Sequence, residues 1–165
     1  MTGSHTLSAT EKAVADRIKG MSLDTTAMWA VSNVYRASTA IRNHLEQTVL
    51  RDTGLTWTGF VTLWVVWIWG DIETRKAAEE CGISKATLTG VVKTLESYRY
   101  VTRSKHETDG RLVVLSLTKS GARLMETLFP LFNQQESFVV RGLSDKQRTD
   151  LAESLRNMVE NLETN

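Results

Sequence analysis

The sequence is short of several residue types, and each shortage excludes something. One cysteine in 165 residues, Cys81, leaves no internal disulfide and no zinc site built on cysteines. The three histidines, His5, His44 and His106, are scattered. No HExxH spacing, paired-carboxylate motif, glycine-rich phosphate cradle or serine-nucleophile elbow accompanies them, so no metal, cofactor or catalytic site is expected. Long apolar runs are also missing. The one candidate, Trp57 to Gly70, holds four tryptophans but is shorter than the roughly 20 residues that span a bilayer, so it reads as a buried helix with no membrane role. The first ten residues contain no apolar segment of the secretory type, and a cytoplasmic location is expected. Neither sign of charge predominates: 20 Lys and Arg against 19 Asp and Glu give a net charge of +1. A polyanionic partner must therefore be argued from where the cations cluster. A 41% hydrophobic and 24% charged composition is that of an ordinary globular chain, long enough for one domain or a small domain with helical arms.

What is present reads mostly as helix. Leu7, Val14, Ile18 and Met21 form a loose stripe that stops near Gly20. Asp24 caps a long helix reaching about Leu50, with Trp29, Val34, Ile41, Leu45 and Val49 on helical spacing. Thr56 caps the tryptophan-rich helix, whose buried face is expected to comprise Trp57, Phe60, Val61, Trp64, Trp67 and Ile68. A short helix from Thr74 to Cys81 carries Ala77 and Ala78 and ends at Gly82 in a left-handed conformation. Ser84 then caps a helix running to about Tyr98, and two helices joined by a glycine-containing turn make a helix-turn-helix. Val101 to Lys105 and Arg111 to Leu117 read as a hairpin around a polar loop. Thr118 caps a further helix that Pro130 is expected to kink. Finally, Ser144 and Gln147 form a capping box that opens a helix with Leu151, Leu155, Met158, Val159 and Leu162 in one apolar stripe needing a partner.

The chemistry concentrates in the middle of the chain. With Leu88, Val91, Val92 and Leu95 turned inward, the helix after Ser84 shows outward Ala86, Thr87, Thr89, Gly90, Lys93, Thr94 and Ser97, with no carboxylate until Glu96. Small, hydroxylated and cationic side chains suit an approach to phosphates and base edges, from which carboxylates are repelled. Arg99, Arg103, Lys105 and Arg111 lie in or beside the hairpin that follows. A basic hairpin directly after such a helix places the helix in a major groove and the loop on the flanking backbone or minor groove.

The segment from Ala77 to Gly121 resembles the winged helix-turn-helix of the MarR family of bacterial regulators. The resemblance is carried by the turn Gly82-Ile83-Ser84, the opening Ser84-Lys85 with Thr87-Leu88-Thr89, the wing signature Asp109-Gly110-Arg111 and the exit from Leu117-Thr118 to Gly121. It implies a mainly α fold with a β-hairpin wing. Residues 55–118 would form the DNA-binding domain, 24–54 and 119–165 the dimerisation helices, and 1–23 a partly helical extension. It also implies a homodimeric repressor on double-stranded DNA with a pseudo-palindromic operator, its half-sites about one helical turn apart. Carried over residue by residue, Ser84, Lys85, Thr87 and Thr89 touch bases or phosphates, Lys93 the backbone, and Arg103, Lys105 and Arg111 the wing side, with Asp109 orienting Arg111. Leu151, Leu155, Met158 and Leu162 take the dimer interface. A small aromatic or phenolic effector is implied, for which Arg42, His44, Trp64 and Trp67 are the candidate pocket. Cys81 stands where the family has a core leucine and is expected to pack as a small hydrophobe.

One position departs from the family pattern. Gly90 falls where Arg or Lys is usual, which either removes a DNA contact or lets the helix backbone approach more closely. A winged-helix protein-interaction module without base readout is the competing reading, resting on Gly90 and the nearly neutral charge.

Overall fold

The computed structural model describes residues 5–106, 108, 109 and 111–164. Gly110 of the wing signature and the segment 2–4 lie outside them. The chain divides into two compact units, residues 1–39 and 40–165.

In the first unit, α1 (Leu7–Arg17) is opened by Thr6, whose hydroxyl accepts from the Ala9 N–H at 3.1 Å. It buries none of its residues. The helix α2 (Thr25–Leu45) is opened by Asp24, whose carboxylate accepts from the Ala27 N–H at 2.9 Å. Glu11 of α1 accepts from Asn33 at 3.4 Å and pairs with Arg36 at 3.6 Å.

In the second unit the expected long helix does not stay α to Leu50. A π-helical turn (Glu46–Leu50) and a 3-10 turn (Arg51–Thr53) follow α2, ending at Gly54 with φ 71°. Thr56 then caps α3 (Trp57–Trp69) as its spacing predicts, its hydroxyl accepting from the Gly59 N–H at 3.1 Å. The buried face of α3 is only partly the predicted one. Phe60, Leu63, Val65 and Val66 are buried together with Gly59 and Thr62, whereas Trp64 and Ile68 are 38% and 48% exposed. The reason is that α3 is apolar all the way round, so its periodicity does not select a side. Small residues do: a Cβ on Gly59 would lie 3.8 Å from Leu95 Cδ2, and Thr62 is fully buried. Of the predicted stripe, Phe60 is buried and Trp57, Val61 and Trp67 pack half-buried against the core, while Trp64 and Ile68 turn outward. Phe60 stacks on Phe132 with ring centroids 3.9 Å apart.

The helix-turn-helix forms as read. α4 (Thr74–Glu80) buries Ala77 and Ala78, Gly82 takes φ 63°, and Ser84 caps α5 (Lys85–Ser97) by accepting from the Thr87 N–H at 3.1 Å. Leu88, Val92 and Leu95 form its fully buried stripe, with Val91 half-buried at its margin. At the end of α5, Arg99 adopts φ 60°, a left-handed conformation that favours glycine, and the chain enters the sheet.

That sheet has three antiparallel strands in the order β1 (Ile72–Glu73), β3 (Val113–Leu117), β2 (Val101–Lys105). Val101 pairs with Leu117, Arg103 with Leu115 and Lys105 with Val113. The strand predicted from Arg111 begins two residues later, and β1, which pairs Ile72 with Leu115, is an addition to the expected hairpin. Thr118 caps α6 (Lys119–Val139), its hydroxyl accepting from the Gly121 N–H at 3.0 Å. α6 runs uninterrupted through Pro130, so proline removes the one N–H that would reach the Glu126 carbonyl without ending the helix. The predicted capping box opens α7 (Asp145–Glu163), which fully buries none of its residues. Leu151, Val159 and Leu162 stand 45%, 54% and 80% exposed.

Candidate nucleic-acid interface

The exposed face of α5 has the composition its spacing predicts. Ala86, Thr87, Thr89, Gly90, Lys93, Thr94 and Ser97 are all exposed, as are Ser84 and Lys85 at its start. Several hydroxyls are held by their own helix. Ser84 and Thr87 share a hydrogen bond of 2.9 Å, the Thr89 hydroxyl donates to the Lys85 carbonyl at 2.8 Å, and the Thr94 hydroxyl donates to the Gly90 carbonyl at 3.3 Å. Each retains an oxygen able to accept from a base or to meet a water. The local bonds fix which way the oxygen faces. A Cβ built on Gly90 meets nothing within 4 Å, and its φ is ordinary for a helix, so neither packing nor backbone shape requires glycine there.

The wing begins at β2, where Thr102, Arg103, Ser104 and Lys105 are exposed and Val101 is buried beneath them. At its turn Asp109 grips Arg111 three ways, accepting from the backbone N–H at 3.0 Å, from Nε at 3.1 Å and from Nη2 at 3.2 Å. The Arg111 guanidinium beside it holds the Asp109 carboxyl below the usual carboxylate range. Arg111 remains 90% exposed along its side chain, so the grip orients the guanidinium without burying it. His106 adds to the turn: its Nδ1 accepts from the Thr108 N–H at 3.3 Å, and its backbone N–H donates to the Leu112 carbonyl at 3.0 Å.

Arg103 is differently placed from its neighbours. Its Nε and Nη2 donate to the two carboxylate oxygens of Glu96 on α5, at 2.9 and 2.5 Å. Sequence reasoning treated Glu96 only as the edge of a carboxylate-free face. Its bond to a residue on another element left no local signature. A cavity of about 210 Å³ opens beside this pair, lined by Thr74, Lys85, Leu88, Thr89, Arg103 and Val113. A larger, more polar one of about 420 Å³ lies at the root of the wing, where Glu73, Lys76, Lys105 and His106 meet. Lys76 donates to Glu73 at 2.8 Å and keeps that carboxyl below its ordinary range.

The four residues expected around an effector line neither of these two cavities. Arg42 lies 4.0 Å from Glu46, whose carboxylate also accepts from the Trp57 N–H at 3.2 Å. His44 bonds Gln135 at 2.8 Å and stacks on Phe138, over which Arg141 also sits at 4.2 Å. Trp67 packs on Phe129 with centroids 5.2 Å apart, and Trp64 faces outward. Arg42, His44 and Trp67 each have a near neighbour. On α7, Leu155 lines a shallow recess of about 460 Å³ with Ala152 and Val159, while Leu151, Met158 and Leu162 are exposed. Cys81 packs half-buried, its Sγ 3.8 Å from the Thr62 hydroxyl, and burial pushes the thiol up, away from the reactive thiolate. Among the described residues no helix is long and apolar enough to cross a membrane.

A helix-turn-helix followed by an antiparallel wing, with a hydroxyl-rich helix and an oriented arginine, defines a winged-helix protein of the DNA-binding type. The MarR family model matches residues 55–113. Over 157 residues the chain is 36% identical to the HTH-type transcriptional regulator YwaE of Bacillus subtilis (strain 168), spanning 93% of this chain and 92% of that relative. The chain belongs to the MarR family and is a transcriptional regulator of that type. Its fold is similar to that of BpsR from Bordetella bronchiseptica, whose DNA binding is regulated by 6-hydroxynicotinic acid. That match has a TM-score of 0.72 at 26% identity, covering 79% of this chain and 98% of BpsR. The MarR family regulator Sco3205 of Streptomyces coelicolor, solved in complex with DNA, superposes with a TM-score of 0.76 at 22% identity, covering 85% and 93%.

Proposed function

We propose that this chain acts as a homodimeric repressor that reads a pseudo-palindromic operator with α5 and grips the flanking backbone with its wing. The observation that carries the reading is the continuous exposed surface from Ser84 to Thr94, free of carboxylates, beside a wing whose Arg111 is held outward by Asp109. Thr87 and Thr89 are the base-reading candidates, Ser84, Lys85 and Lys93 the phosphate contacts, and Lys105 and Arg111 the wing contacts. Residues 55–118 serve DNA and 24–54 with 119–165 serve dimerisation. The exposed stripe of α7 supports the second role, because an apolar face of that extent has no occupant within the described residues of its own chain.

Gel retardation with a fragment from upstream of the protein's own gene, repeated across salt concentrations, tests the reading. Specific retention that weakens steeply with salt is expected. Absence of retardation at low salt refutes it and favours the protein-interaction module.

The effector reading is a small aromatic carboxylate or phenol, as 6-hydroxynicotinic acid is for BpsR. The cavity beside Lys85 and Arg103 offers cationic chemistry for such a ligand. Binding of 6-hydroxynicotinic acid to the free protein, weakened in Lys85→Ala, together with its release of the fragment from the unsubstituted protein, is the expected outcome. Equal binding by both proteins would move the site elsewhere.

A further inference from the structure

The Glu96–Arg103 pair joins α5 to β2, and these elements meet through the left-handed residue Arg99. Two parallel hydrogen bonds between planar groups fix rotation as well as distance, which a single ammonium contact does not. Arg103 sits opposite Leu115 in the sheet, so its backbone is tied to β3 as well. Its side chain crosses the opening between helix and sheet, where it lines the 210 Å³ cavity with Lys85 and Thr89. Glu96 is the one carboxylate on α5.

Resting on the proposed DNA-binding reading, we infer that Glu96 and Arg103 are a positioning pair that sets the angle between the recognition helix and the wing, and that Arg103 is not itself a phosphate contact. The two roles predict opposite signs. A carboxylate that merely sat on a DNA-facing helix would repel the polyanion, and its neutralisation would tighten binding. A carboxylate that aligns the wing weakens binding when it is lost, despite the more favourable charge.

The experiment is a double-mutant cycle of Glu96→Gln, Arg103→Gln and the double variant, read by affinity for the upstream fragment at several salt concentrations. Each single variant is expected to bind roughly two- to fivefold more weakly, the range of a partly exposed pair, with the double variant no weaker than either. The slope of log affinity on log salt stays unchanged in Arg103→Gln. Tighter or unaltered binding by Glu96→Gln, additive losses, or a slope reduced by about one in Arg103→Gln each overturns the inference, the last because it marks a lost phosphate contact. Amide hydrogen exchange of β2 and β3 in the free protein gives a readout that needs no DNA. Exchange is expected to quicken in both single variants, and unchanged exchange counts against the pair. A wild-type protein that fails to retain the fragment counts instead against the regulator reading.

Discussion

Gly121 offers the sharpest test of how the wing is anchored to α6. It is the third residue of that helix, and a Cβ built there lies 2.1 Å from the Tyr100 carbonyl oxygen and 3.1 Å from Leu117 Cδ2. Ordinary contact begins at 3.4 Å, so Gly121→Ala requires about 1 Å of movement between the start of α6 and the start of β2. The atom that must yield is backbone, not a flexible side chain. The Tyr100 carbonyl also accepts from the Thr118 N–H at 3.0 Å and from its hydroxyl at 3.3 Å, and retreat lengthens both bonds. Overpacking costs about 1–3 kcal/mol and each weakened hydrogen bond about 1 kcal/mol, against about 1 kcal/mol gained from replacing glycine in a helix. The net is a loss of about 2–4 kcal/mol. With a urea slope near 2 kcal/mol/M for a chain of this size, the unfolding midpoint falls by about 1–2 M. Urea titration followed by circular dichroism at fixed protein concentration measures it. Gly142→Ala is the control, since a Cβ there meets nothing within 4 Å. A Gly121→Ala midpoint matching that of the control would refute the steric account.

Gly90→Ala moves the other way. Its Cβ enters open space on a helix of ordinary φ, so the midpoint should rise by the equivalent of about 0.5–1 kcal/mol, and no rise would mean that the helix is strained there. Arg111→Ala should weaken retention of the upstream fragment about tenfold and lower the salt slope by about one, with the sedimentation profile unchanged; unaltered affinity would remove the wing contact. Leu155→Glu places a charge in the apolar recess of α7 and should shift sedimentation equilibrium toward monomer, and an unshifted profile would place the interface elsewhere.

The parts of this fold that were legible in the sequence are those whose cause is local. Thr56, Ser84, Thr118 and Ser144 each announce a helix by an oxygen two or three residues from an unpaired N–H, and each caps one. Gly82 marks the turn of the helix-turn-helix because its φ of 63° is one that glycine adopts without steric cost. The outward set on α5 was readable because that helix is amphipathic, while α3, apolar on every side, hid which face would pack. The strand Ile72–Glu73 is too short to show alternation. At the candidate site, Asp109 and Arg111 are two residues apart and their grip follows from proximity, whereas Glu96 meets Arg103 only after the chain has turned from helix to strand. His44 and Trp67 meet Gln135, Phe138 and Phe129 of α6 in contacts that no spacing rule relates to them.

The exposure of α7 has a consequence for dosage. A 19-residue helix that fully buries none of its side chains draws little stability from its own chain, and a lone helix of that length is only marginal in water. On the proposed dimer its order depends on mass action, and its melting temperature should climb as the protein is concentrated. The number of copies in a cell would then set how much of the regulator is fully structured, and through that how sharply its operator responds to small changes in supply.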